Sequence, residues 1–171
     1  MKKETRILLI VALTICSMIT PVSCVVKNVQ FDKNCSGYIK QAADANTVEI
    51  AFERITVAID YAEHHGLTKG YTSVIYQTEG DNVGFWYRNL KACQSELDAA
   101  VNGSQLEKSN VLMKVRESLT DNGEHGTNLS LPHGISRYPY NTLFAIFGWI
   151  SVIIWIIVFC IVAEDDFEVF E

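Results

Sequence analysis

The sequence predicts a membrane-anchored all-α protein. Its parts are a small antiparallel bundle of about three helices outside the membrane, one C-terminal transmembrane helix, and an N-terminal signal peptide or second transmembrane helix. Three observations lead there: an uncharged apolar run near each end of the chain, apolar residues at three-and-four spacing between those runs, and a different charge balance in each region.

At the N-terminus, "MKKETR" is a short basic region followed by an apolar stretch over 7–20 and then Pro21. That pattern suits a secretory signal peptide, whose apolar region runs about 7–15 residues. Residues 7–26 also form a run of 20 positions without a charge, just enough for a helix to span, so a retained anchor stays open. "PVSC" is similar to a bacterial lipoprotein cleavage box, with Pro21 where leucine is usual, which makes Cys24 a candidate lipidation site. In each branch Lys2, Lys3 and Arg6 stay cytoplasmic and send the middle of the chain outward.

The central region, 27–122, reads as a helical extracytoplasmic domain. Tyr38, Ala42, Ala45, Val48, Phe52, Ile55, Ile59 and Ala62 lie on one helical face, with Lys40, Glu49, Glu53, Arg54, Asp60 and Glu63 between them. The expectation is one long helix, kinked where "NTVE" at 46–49 could start a capping box, and terminated by Gly66. A second helix follows from about Val83 to Val101. Its stripe is Val83, Trp86, Leu90, Cys93, Leu97 and Ala100, and "NG" at Asn102–Gly103 closes it. A third opens with a capping box, Ser104 to Glu107, turns Leu112, Val115 and Leu119 inward, and stops at Asn122–Gly123. Helices of this kind bury their stripes only against one another, hence the bundle. Between the first two helices, the 15-residue link 66–80 carries Tyr71 to Tyr76, rich in aromatic and β-branched residues, and is expected to lie extended across the bundle end.

Residues 123–141 hold glycines and prolines and read as an irregular stalk. The transmembrane helix is placed at 142–163. Its 21 residues from Leu143 to Ala163 carry no charge and give about 32 Å of helix, against a hydrocarbon core of roughly 30 Å. Residues 164–171 then form an acidic cytoplasmic tail.

The formal charge of -6 divides unevenly: +2 over 1–26, -3 over 27–141 and -5 over 142–171. The near-balanced centre has no basic stripe to neutralise phosphates, so nucleic acid is excluded as a partner. The partners expected are the lipid bilayer and another protein, and the short Lys-Lys start points to a bacterial inner membrane.

Of the five cysteines, Cys16 and Cys160 are apolar-segment residues, and Cys24 with Cys35 is the candidate disulfide on the oxidising side. Cys93 is excluded from pairing with Cys35, because its position along an antiparallel helix places it opposite Ile55, about 30 Å away. There is no GxSxG, P-loop, HExxH, CxxC or dinucleotide fingerprint, so neither an enzyme nor a cofactor is expected. His64 and His65 are adjacent on a helix and point about 100° apart, a poor chelate; His125 and His133 lie in the stalk, and no metal site is assigned. Sequons stand at Asn34, Asn102 and Asn128 and carry meaning only in a glycosylating host.

"GYTSVIY" and "GFWYRNL" bring aromatic residues close in sequence. Tyr71, Tyr76, Tyr87 and Arg88 are the candidate binding residues, because Tyr and Arg dominate interface hot spots and Tyr87 and Arg88 lie off the core stripe. The leading expectation is a non-enzymatic accessory or scaffolding subunit that docks another protein. Alternatives are a small-ligand sensor with an aromatic pocket at one bundle end, and a membrane-bound enzyme without a recognisable motif. The layout resembles that of helical sensor domains of bacterial membrane receptors, without a shared motif.

Overall fold

The computed structural model describes residues 3–123 and 126–168, mostly helical, with side chains left undescribed over 122–127 and beyond 162. His125 and the last three residues of the acidic tail lie outside the described residues. Two compact units result: Met1–Lys27 with Tyr140–Glu171, and Asn28–Pro139.

The first unit is a pair of helices, each long and apolar enough to cross a membrane. Helix α1 (Lys3–Phe31) continues through Pro21, and helix α6 covers Asn141–Glu168. Proline removes one backbone donor, a loss that a long apolar helix tolerates. Arg6 Nη2 donates to Ile161 O at 2.6 Å, and Ser151 Oγ lies 3.4 Å from Thr20 Oγ1. Ascending positions on one helix therefore meet descending positions on the other, and the pair is antiparallel. Ser17 and Val158 are buried, whereas most other large apolar side chains of both helices are exposed.

In the second unit, a π-helical turn (Asp32–Ser36) leads into α2 (Gly37–Ala43). Gly37 is required by close approach, since a Cβ there would stand 2.8 Å from the backbone oxygen of Asp32. Next come α3 (Val48–His64), α4 (Val83–Ala100) and α5 (Gln105–Leu119). The packed neighbours are α2 with α3, α3 with α4, α4 with α5, and α5 with α2, so four segments enclose the core.

The single long helix expected over 38–62 is thus two helices. Asp44, Asn46 and Thr47 favour caps over helix interior. Thr47, extended at φ -133°, accepts a bond from the Ile50 amide on its hydroxyl, and it is this residue rather than Asn46 that caps α3. The apolar spacing carries across the break, so Ala42, Val48, Ile55, Ile59 and Ala62 are all buried. Arg116 holds the freed end of α2: its Nε donates to Ala43 O at 2.9 Å and its Nη2 stands 3.6 Å from Asp44.

The other ends follow local rules. Gly66 at φ +69° terminates α3, its amide bonding Glu63 O while the Leu67 amide reaches Ala62 O at 2.7 Å. That is a Schellman arrangement, and the buried Leu67 completes it. The predicted stripe of α4 is buried throughout: Val83, Trp86, Leu90, Cys93, Leu97 and Ala100. The predicted capping box at Ser104–Glu107 is formed in both directions. Val115 and Leu119 are buried and Leu112 is half-buried.

Helix α5 stops at Leu119, earlier than the Asn122–Gly123 signal suggests, because the chain turns extended there. Strand β1 (Thr120–Gly123) pairs antiparallel with β2 (Gly126–Leu129), Thr120 opposite Leu129. In the segment expected to be irregular, Ile135 is buried in the core, and Leu129, Leu131 and Tyr138 pack against it. Tyr138 donates its hydroxyl to Lys69 O at 2.7 Å, tying 123–139 to the link before α4.

Candidate functional site

The link between α3 and α4 is a clamped loop. The Val83 amide bonds Gly70 O at 2.9 Å, the Thr72 amide bonds Asp81 O at 3.0 Å, and Tyr71 bridges Asn82. Asn82 also caps α4 by accepting from the Phe85 amide at 2.9 Å, so one residue fixes both the loop base and the helix start. Inside the clamp, Thr78 Oγ1 donates to Asp81 Oδ2 at 2.6 Å across the 3₁₀ turn Glu79–Asp81.

The loop tip is apolar and faces outward. Ile75 is 94% exposed, Tyr76 is 77% exposed and Val74 is exposed beside them. The extended segment expected to pack across the bundle end is therefore present only at Tyr71 and Thr72. Beyond them the chain turns between the two closing bonds, and Val74, Ile75 and Tyr76 stand exposed instead of lying over the core. Phe85, 61% exposed in the first turn of α4, adds a further uncovered ring.

The four candidate binding residues have separate surroundings. Tyr71 is half-buried, with its hydroxyl 3.4 Å from Asn82 Nδ2. Tyr76 is at the loop tip. Tyr87 is half-buried against the core and donates its hydroxyl to Glu63 Oε1 at 2.6 Å, with Lys91 Nζ 3.7 Å from the same oxygen. The bond to Glu63, and then burial, hold the Tyr87 phenol above its ordinary value. Arg88 is exposed. Phe85 belongs to the aromatic group that the sequence places near the bundle end, whereas exposure of Val74 and Ile75 has no signal in the sequence, where β-branched residues read first as buried.

No protein-family model, curated protein or solved structure matches this chain. What the arrangement can do must come from its own chemistry. Among the described residues, Phe31 meets Tyr61 edge-on and Tyr61 stacks on His65 at 3.9 Å, so neither ring pair includes a residue of the loop tip. His65 Nδ1 is 2.9 Å from Tyr61 O, and His64 Nδ1 is 2.7 Å from Asp60 O, so both imidazoles close the last turn of α3. Among the described residues no cluster of three His, Cys, Asp or Glu side chains could hold a metal ion.

Cys24 sits half-buried on α1 and Cys35 is buried in the π turn, both as free thiols. Cys35 Sγ is 3.7 Å from Ala58 O, and burial pushes its pKa up to about 12. Cys93 is also free and buried; burial, then the charge of Glu96, push it up to about 11. Gln94 donates to Thr56 Oγ1 at 2.8 Å, which puts Cys93 level with Ile55 as expected. Cys35 packs against Ala58, only about one helical turn along α3 from Ile55, so the break at Asp44–Thr47 removes the separation of about 30 Å that a single unbroken helix implied. Neither thiol has the exposed, electropositive setting that a nucleophilic cysteine needs.

Proposed function

We propose that this protein is a non-enzymatic integral membrane subunit whose outer helical domain docks another protein through the clamped loop between α3 and α4. Both α1 and α6 serve as spans, the domain of residues 28–139 is extracytoplasmic, and both termini are cytoplasmic. The antiparallel contact of α1 with α6 supports a retained N-terminal helix, and the basic start of the chain supports its direction. The observation that carries docking is the loop itself. Exposing Val74, Ile75 and Tyr76 to water is unfavourable, and the hydrogen-bonded base of the loop lowers the ordering entropy lost on binding.

The test is site-specific photo-cross-linking in native membranes, with benzoylphenylalanine at Ile75 or at Glu117, an exposed position of α5. A discrete protein adduct from Ile75 alone is expected. Equal adducts from both sites, or adducts only to lipid, would remove the loop from any protein interface. Orientation is read in parallel, in a background lacking Cys16, Cys24 and Cys160. A cysteine at Glu117 should label from outside, and one at Glu171 only after permeabilisation.

A further inference from the structure

A groove of about 580 Å³ runs between α1 and α6, within the range of roughly 300–1,000 Å³ typical of ligand sites. Apolar side chains such as Ile19, Phe144 and Phe147 form most of its wall, and Lys27 and Tyr140 are at one end. Among the described residues, Lys27 is the only charged side chain in the lining. We propose that this groove seats one acyl chain of an anionic phospholipid, whose phosphate meets Lys27 and the Tyr140 hydroxyl. The proposal rests on both helices being spans, as inferred above.

Length distinguishes a lipid from a partner helix. The lining begins at Cys16 and ends at Lys27 on α1, about 17 Å of helix at 1.5 Å per residue. That is close to one leaflet, about half of a hydrocarbon core of roughly 30 Å. A partner helix would need a seat along the whole core. The hydroxyls point the same way, because Ser151 bonds Phe147 O at 2.8 Å and approaches Thr20 Oγ1 at 3.4 Å. Ser151 and Thr20 thus bond within the pair, whereas a helix-docking face keeps such groups for its partner. The charge at the open end then selects the head group. A lysine at interfacial depth attracts an anionic lipid and gives little preference for a zwitterionic one.

Native mass spectrometry of the full chain in detergent, titrated with phosphatidylglycerol or phosphatidylcholine of identical acyl chains, tests this. One preferred phosphatidylglycerol adduct per chain is expected. Lys27→Gln should weaken that adduct about fivefold while leaving the phosphatidylcholine adduct unchanged, and Lys27→Arg should restore it. Ser23→Trp, which fills the groove, should remove both. Equal adducts in the unaltered chain, or adducts indifferent to Lys27→Gln and Ser23→Trp, would overturn the proposal. So would break-up of a protein assembly by Ser23→Trp with lipid adducts intact. The same spectrum weighs the chain: loss of 1–26 would refute the two-span reading, whereas a full-length chain without selectivity refutes only the lipid.

Discussion

Leu90→Ala probes the centre of the outer domain. Leu90 is 0% exposed on α4, within the cluster that α3, α4 and α5 build together. The change removes three carbons, worth about 2.4 kcal/mol at roughly 0.8 kcal/mol each. Helices on both sides restrain collapse, so a residual cavity adds to that, and the total should reach about 3–4 kcal/mol. A small domain has about 5–15 kcal/mol in all, so this is a large fraction. Lys91→Ala is the control one residue away. Its side chain is 45% exposed and its amine is 3.7 Å from Glu63, a solvated contact whose loss should stay within about 0.5 kcal/mol. Urea unfolding of the full chain in detergent, followed by far-UV circular dichroism, separates the two. The apolar helices keep their helicity in the micelle, so the transition reports the domain. The midpoint should fall for Leu90→Ala at an unchanged slope. Equal midpoints for the two variants would refute the assigned buried face of α4.

Two further outcomes are expected. Gly66→Ala should cost about 1 kcal/mol in the same assay, since a Cβ at φ +69° is strained even though open space surrounds it; no loss would mean that α3 ends without the left-handed turn. Burial raises the folded pKa values of Cys35 and Cys93 above the ordinary thiol value of 9.0, to about 12 and about 11. The unfolded chain therefore releases these protons first, so their stabilising contribution is complete below pH 9.0 and is lost as pH rises toward about 11–12. Urea midpoints should fall over that window, less so in Cys93→Ser. An unchanged midpoint across it would place both thiols in water.

Much of the structure was legible residue by residue. The stripe of α4, the capping box at Ser104 and the stop at Gly66 depend on spacing of a few residues and on local hydrogen bonds, which the sequence states directly. The two apolar runs were legible because their length alone matches a bilayer. The break at Asp44–Thr47 was harder, since buried spacing persists across it, and only the contacts of Arg116 with Ala43 and Asp44 reveal a separate helix end.

Tertiary structure alone decided the rest. The hairpin of β1 and β2 has short polar strands without a period-two apolar face, so pairing rather than pattern defines it. Ile135 is isolated in a stretch of glycine and proline, and its burial depends on a core assembled from distant helices. The candidate site reversed in the same way. Ile75 and Val74 are residue types that favour burial, yet they lie exposed in the loop closed by the bonds from the Val83 amide to Gly70 and from the Thr72 amide to Asp81. Tyr87 lies off the stripe in sequence, yet it packs against the core, and its hydroxyl is held at the surface by Glu63, 24 positions earlier. Sequence determines what each segment prefers, because preference is a property of neighbours along the chain. Exposure and partnership are properties of neighbours in space, and the packing of α2 to α5 had to exist before either was defined.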